Sequence, residues 1–197
     1  VKHRGLCNLV NSCQKKFSIN SESRVLQFAS ISFDVAISDI ILALTNGAAL
    51  YLANTECTHL GESLATFIVE NAITHIHLTP STLATLPSGK YPDLKCIIVG
   101  GEPFSITLVE RWANRRYFFN SYGATETSVT VALAEFKTNS KQVLIGKPIN
   151  NTQIYVLDAN NKIVPNGVIG EMCVVGASVA AGYWNQQKLT SEKFIDN

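Results

Sequence analysis

Short apolar runs alternate with stretches of helical periodicity along the first two thirds of this chain, and that alternation limits the folds open to it. The runs fall at residues 25–29, 48–53, 74–78, 95–99 and 117–119. Between them lie a helix at 4–17 with Leu6, Leu9, Val10, Cys13 and Phe17 on its apolar positions, and a second one from Ser32 that Asn46-Gly47 stops. Further helices are expected near 60–71, at 80–86 with Pro80 in the first turn, and at 105–114. Ser32 offers a side-chain oxygen to cap the second helix. Strands that alternate with helices predict an α/β fold, a largely parallel sheet with helices on its faces. In such a sheet ligands bind outside the carboxyl ends of the strands, so the loops after Phe28, Ile76, Val99 and Phe119 are expected at one edge.

After Phe136 the texture changes. Residues 153–157 and 171–175 read as strands separated by the turn-rich 158–161 and by Pro165-Asn166-Gly167, which predicts a small antiparallel β-unit; 186–194 reads as a short helix. The expected division is therefore an α/β part over 1–136 and a β-rich part of the same core over 137–197. With 197 residues, 46% of them hydrophobic, the chain can bury a substantial core. Its net charge of +1 comes from scattered lysines and arginines, so neither a nucleic-acid surface nor an anionic-lipid surface is expected. The apolar stretch from 35 to 53 is broken by Asp39 and by Asn46-Gly47 and reads as a helix then a strand, not a membrane span. The five cysteines, Cys7, Cys13, Cys57, Cys96 and Cys173, show no CxxC spacing and are expected as buried free thiols of a cytoplasmic protein. The chain reads as an internal part of a longer protein.

Three places could carry chemistry. Residues 120–126, Asn-Ser-Tyr-Gly-Ala-Thr-Glu, follow the aromatic run at 117–119 and bring a flat ring, a hydroxyl and a carboxylate within five residues. That suits a ligand with a base, phosphates and a metal; a tight turn with Gly123 at a special backbone angle and Glu126 in solvent is the alternative. Val99-Gly100-Gly101-Glu102-Pro103 lies between a strand and a helix, where two glycines permit close backbone approach, or simply a tight βα turn. Phe33-Asp34 opens a helix in apolar surroundings, so the carboxylate either serves the helix dipole or faces a cationic group in a pocket. His77, between Ile76 and Leu78 at a strand end, reads as a satisfied core histidine rather than a catalyst. His3 and His75 stand in no metal-ligand spacing, and His59 reads as a surface residue. No Ser/His/Asp or Cys/His catalytic grouping is legible.

Taken in order, Phe33-Asp34, Val99-Gly100-Gly101-Glu102, the 120–126 segment, and Ile169-Gly-Glu-Met-Cys-Val-Val-Gly176 with Ala181-Gly-Tyr183 resemble the adenylation domain of nonribosomal peptide synthetases, within the adenylate-forming superfamily. The resemblance covers nearly the whole chain. It implies part of the large N-terminal subdomain of such an enzyme, with ATP and Mg²⁺ as cofactors. An amino-acid carboxylate would attack the α-phosphate of ATP, and the aminoacyl group would pass to the phosphopantetheine thiol of a partner carrier domain. On this resemblance Tyr122 would stack on adenine with Asn120 beside the base, and Gly101, Glu102 and Gly123 would line the nucleotide side. Thr125 would hydrogen-bond phosphate and Glu126 would ligate Mg²⁺. The substrate pocket would comprise Asp34, Val35, Ser38, His77, Ile98, Gly100, Ser121, Val129 and Thr130, with Asp34 pairing the α-ammonium.

Ser38 is small where many members carry a ring, which implies a deep pocket. His77, Ser121 and Thr130 are polar without fixed charge, so a neutral polar or aromatic amino acid is expected. Ala124 stands where the family usually has proline, an exchange expected to loosen the loop slightly. The resemblance also implies a phosphate loop before Val1, and a ribose motif and a subdomain with the catalytic lysine after Asn197, so no catalytic residue is expected within 1–197. An acyl- or aryl-CoA ligase of the same superfamily, or a non-catalytic part that keeps only the fold, are the other readings.

Overall fold

The alternating pattern folds as a three-layer α/β/α unit. The computed structural model describes residues 1–53 and 61–195; Cys57 and His59 lie outside the described residues. The elements are α1 (His3–Phe17), β1 (Arg24–Gln27), α2 (Asp34–Thr45), β2 (Ala49–Leu52), α3 (Glu62–Glu70), β3 (His75–Leu78), α4 (Pro80–Thr85), β4 (Cys96–Gly100), α5 (Ile106–Trp112), β5 (Tyr117–Tyr122), β6 (Ala132–Phe136), β7 (Lys147–Pro148), β8 (Thr152–Leu157), β9 (Glu171–Gly176) and α6 (Gln187–Lys193). Among the described residues seven strands form one sheet in the order β2-β1-β3-β4-β5-β6-β7, and β8 pairs with β9 in a second. Neighbours from β2 through β5 are parallel, and β6 and β7 return antiparallel.

Alternation along each central strand decides which layer a residue enters. In β4, Ile97 and Val99 face the core under α3, α4 and α5, whereas Cys96 and Ile98 face α1 and α2. In β5, Phe118 joins the first core and Phe119 the second. The rule holds for β3 too: Ile76 and Leu78 enter the first core, so His75 and His77 project toward α1 and α2. His75 is buried there, with Nε2 2.8 Å from the Phe17 carbonyl oxygen and Nδ1 2.7 Å from Thr74 Oγ1.

Two strands of the large sheet were not expected. β6 is Ala-Leu-Ala-Glu-Phe, without the β-branched character of a strand, and β7 has two residues, one a proline. β6 owes its conformation to pairing with β5, and β7 to pairing with β6, rather than to local preference. The expected antiparallel unit at 153–157 and 171–175 is β8–β9, one residue longer at an end of each strand.

Helix boundaries follow their chemistry with one correction. Thr79 caps α4, its side chain accepting from the Thr82 N–H at 3.2 Å with proline in the first turn. Asn46 ends α2, and Gly47 beyond it has φ 68°. Ser32, however, does not cap α2: the helix begins at Asp34 behind Phe33 with no side-chain cap, and the Ser32 N–H instead donates to Ser30 Oγ at 3.3 Å. The cysteines also divide. Cys13 and Cys96 are buried, and burial pushes the Cys13 thiol up to about 12; Cys7 is exposed and Cys173 half-buried, contrary to the uniform burial expected. No described helix is long and apolar enough to cross a membrane.

A polar seam joins the segments flanking the second sheet to α1 and to the loop beyond β5. Asn8 of α1 donates to the Asn150 carbonyl at 2.8 Å and to Ser178 Oγ at 3.2 Å, and Asn151 donates back to Asn8 Oδ1 at 3.0 Å. Ser128 Oγ donates to the Ser178 carbonyl at 2.6 Å. Gly5 makes this approach possible, since a Cβ there would lie 2.2 Å from Ser128 Oγ.

Phe118 is fully buried, with ring contacts to Phe104 at 6.2 Å and Phe136 at 6.3 Å that tie β5 to β6. Phe118→Ala is expected to cost about 3–5 kcal/mol by lost transfer energy and a residual cavity, read from chemical denaturation.

Candidate active site at the carboxyl edge of the sheet

Because β1, β3, β4 and β5 run parallel, the segments that follow them emerge at one edge. There they enclose a cavity of about 470 Å³. Phe28–Ser30 follow β1, Thr79 and Thr82 follow β3, Gly100–Glu102 close β4, and Ser121 with 123–125 come from the end of β5 and the loop beyond. The first turn of α2 adds Phe33, Asp34 and Val35. Ligand sites of a few hundred Å³ are of this kind, mostly apolar with a few convergent polar groups.

Of the sixteen residues expected at the site, ten line this cavity: Asp34, Val35, His77, Gly100, Gly101, Glu102, Ser121, Gly123, Thr125 and Val129. Tyr122 and Glu126 line a neighbouring cavity of about 660 Å³ between the end of β5 and the β8–β9 sheet, sharing Gly123 and Ala124 with the first. Ser38, Ile98 and Thr130 are buried behind the wall. Asn120 is also buried, and its side-chain amide donates to the Leu144 carbonyl at 2.9 Å, so it supports the strand end from beneath.

β5 runs three residues further than the aromatic run indicated, through Tyr122, so Asn120, Ser121 and Tyr122 are strand rather than loop. The loop proper is Gly123 to Val131. Thr125–Thr127 form one 3₁₀ turn, and Ser128 and Val129 have φ of 59° and 74°. The Thr130 N–H bonds the Ser128 carbonyl two residues back at 3.0 Å, which makes Val129 the centre of a positive-φ γ-turn. A β-branched residue there stores of order 1–3 kcal/mol of backbone strain, the kind that clusters at functional sites. Two contacts hold it: Val131 N–H to the Tyr122 carbonyl at 2.8 Å, and the buried Ser121 Oγ–Thr130 Oγ1 hydrogen bond, also 2.8 Å. Ala124 does not loosen this loop. Its N–H donates to Thr127 Oγ1 at 3.1 Å, a bond that proline cannot make.

Two carboxylates are fixed in place. Glu102 accepts from the Ser81 N–H at 3.1 Å and from Ser81 Oγ at 2.9 Å, which clips the Gly100-Gly101 turn to the start of α4. Glu126 accepts a short hydrogen bond from the Tyr183 hydroxyl, while the Ala180 N–H bonds the Glu126 carbonyl at 2.8 Å. The Tyr183 hydrogen bond holds the Glu126 carboxyl below the usual carboxylate range, so it is ionised at neutral pH. The sequence alone assigns Tyr183, in the Ala181-Gly-Tyr183 run, no role. Its partner lies 57 positions away, a separation that local pattern does not bridge.

Sequence reasoning passed over Asp39 as well, treating it only as a break in an apolar run. It is buried on α2, with Oδ1 3.4 Å from His77 Nδ1 and Oδ2 without a hydrogen-bond partner among the described residues. The signal lay in its spacing: Val35, Asp39 and Leu42 share one helical face, so an acid there must be buried.

Gly123→Ala should destabilise the protein by about 1–3 kcal/mol, because the added Cβ would sit 2.1 Å from the Val129 carbonyl oxygen and backbone must move; the measure is the denaturation midpoint. Tyr183→Phe should raise the pKa of Glu126 toward its ordinary value by removing the donor to its charged form, as read by carboxyl ¹³C NMR titration.

Residues 1–184 match the AMP-binding enzyme family. The chain is 44% identical over 197 residues to bacitracin synthase 3 of Bacillus licheniformis, covering 100% of this chain and 3% of that protein. It is 36% identical over 200 aligned positions to tyrocidine synthase 1 of Brevibacillus parabrevis, covering 100% of this chain and 18% of that protein. The chain thus spans only a small part of the relatives it matches. Among solved structures, a four-domain nonribosomal peptide synthetase bound to AMP and glycine superposes with a TM-score of 0.91 at 28% identity, over 100% of this chain and 15% of that one. A parallel sheet with its cavity at the carboxyl edge, the ordered motifs and a family match over 184 of its residues agree: this chain belongs to the AMP-binding enzyme family.

Proposed function

We propose that this chain forms the substrate and nucleotide cradle of an amino-acid-activating adenylation domain, working in the cytoplasm as part of a nonribosomal peptide assembly line. The observation that carries the reading is that one cavity is lined both by Asp34 and by the Gly100–Glu102 and 123–125 segments. One side of it suits a primary ammonium, and the other presents backbone and a hydroxyl to a nucleotide.

In the proposed reaction a carboxylate oxygen of the amino acid attacks the α-phosphorus of ATP. The bond from that phosphorus to the bridging oxygen breaks, and pyrophosphate leaves with its electron pair. Asp34 offsets the charge of the α-ammonium and orients the carboxylate. Gly101, with φ 81° and open space where a Cβ would stand, lets backbone approach a planar base that Tyr122 could cover. Thr125 donates to phosphate oxygen. The chain's contribution is mostly positioning and preorganised electrostatics.

The residues present fit Mg²⁺. That ion is held by one or two carboxylates together with substrate phosphates. Glu126 is ionised and fixed by Tyr183, and among the described residues no cluster of three or more His, Cys, Asp or Glu side chains could form a protein cage. When bound, the ion would neutralise charge on the phosphates. The aminoacyl group would then pass to the phosphopantetheine thiol of a carrier domain.

Amino-acid-dependent ATP–pyrophosphate exchange by the full-length protein tests the reading. Glu126→Gln is expected to lower the exchange rate by about 10²-fold or more, since it removes a metal ligand's charge and keeps its shape. Asp34→Ala should abolish amino-acid dependence while nucleotide binding persists. Unchanged exchange in both variants would return Glu126 and Asp34 to turn and helix-dipole roles.

A further inference from the structure

Asp39 and His77 form a buried pair for which the chemistry above has no use. Asp39 is 3% exposed and His77 7%, yet His77 is a lining residue of the cavity. Its Nδ1 edge is turned into α2, 3.4 Å from Asp39 Oδ1, which leaves Nε2 as the ring nitrogen available to a ligand. Asp34 opens the same helix and lines the same cavity as His77, so a group that receives an ammonium and the His77 ring border one space.

Resting on the proposed function, we propose that Asp39 is a positioning residue that fixes the proton of His77 on Nε2, so that the site selects an amino acid whose side chain ends in a neutral hydrogen-bond acceptor, a hydroxyl or carboxamide oxygen. The assignment follows from counting protons. When the pair is neutral overall, two protons are distributed over the Asp39 carboxyl, Nδ1 and Nε2. With the carboxylate ionised, both ring nitrogens carry hydrogen. With it protonated, its O–H donates to Nδ1 and the ring's hydrogen sits on Nε2. Both arrangements present an Nε2–H donor to the cavity. The third neutral arrangement, with the carboxyl proton on Oδ2 and the ring proton on Nδ1, would bare Nε2 but place an O–H on Oδ2, which has no hydrogen-bond partner among the described residues, and a pair of net charge −1 would bury an uncompensated charge. Burial accordingly pushes the Asp39 carboxyl above the usual range, against the opposing hydrogen bond from His77. A neutral pair offers no offset for the charge of an acidic or basic side chain, and a donor left facing an apolar one would go unsatisfied.

The test uses the full-length protein in exchange assays with glutamine against methionine and threonine against valine, pairs of similar shape that differ in the acceptor. The member carrying oxygen is expected to be favoured at least 10-fold in kcat/KM in one pair. Asp39→Leu should raise the KM of that amino acid about 10-fold, with kcat and the KM of ATP little changed. Asp39→Asn should retain the wild-type KM within about 3-fold, because its carboxamide N–H can donate to Nδ1 and keep the proton on Nε2. In a His77→Ala background, Asp39→Leu should have no further effect on KM, a coupling that general damage to the core would not produce. Exchange led by an apolar or charged amino acid, an unchanged KM in Asp39→Leu, or an equal loss in Asp39→Asn overturns the inference and leaves the proposed function standing. No exchange with any amino acid overturns both. If thermal unfolding shows that Asp39→Leu does not fold, His77→Ala and Asp39→Asn carry the test: preference for the oxygen-bearing member must vanish in the first and persist in the second.

Discussion

The parallel pairing of β4 with β5 is the contact on which the site depends. Its register puts Gly100 directly opposite Ser121. A side chain at residue 100 would meet the Ser121 carbonyl oxygen at 2.5 Å, so glycine lets the two strand ends stay level to their last residue. From that level start, Gly101-Glu102 turns one way toward α4 and Gly123 turns the other toward β6. Moved apart by one residue, the strands would also exchange the faces of Ile97 and Ile98 and of Phe118 and Phe119, and both cores would fail with the site.

The two helical layers give the cavity two chemically different walls. α2 and α1 cover the face that receives His75, His77 and Ile98, and α2 brings Asp34 to the rim and Asp39 to the interior. α4 and α5 cover the other face, where Ser81 at the start of α4 clamps Glu102. Beyond β5, the strained turn at Val129 and the Ala180 and Tyr183 contacts to Glu126 bring the small second sheet against the loop. The Glu126 carboxylate is thus held by a segment more than fifty residues downstream, whose Tyr183 hydroxyl lowers its pKa.

Composition and period carried the reading of the layers, because burial on both faces of a parallel strand and on one stripe of a helix leaves a mark in local sequence. The same reasoning stopped at β6 and β7, which lack a strand-like run and exist because β5 offers a free edge to β6 and β6 offers one to β7. It likewise stopped at Ser32, where a good capping residue lies two positions ahead of the helix it was expected to cap. The 120–126 segment was not legible as half strand and half turn, since the end of β5 is set by its pairing with β4 and β6.

By itself the sequence determined that the sheet is largely parallel and which polar residues follow its strands, since alternation and spacing are local properties of the chain. Only the tertiary structure decided which of those residues face the cavity, with Asn120, Ser38, Ile98 and Thr130 drawn behind its wall. It alone brought Asp39 to His77 and Tyr183 to Glu126. The reason is physical: the protonation and direction of a side chain are set by a partner at hydrogen-bond distance, and that partner is chosen by packing between elements distant in the chain.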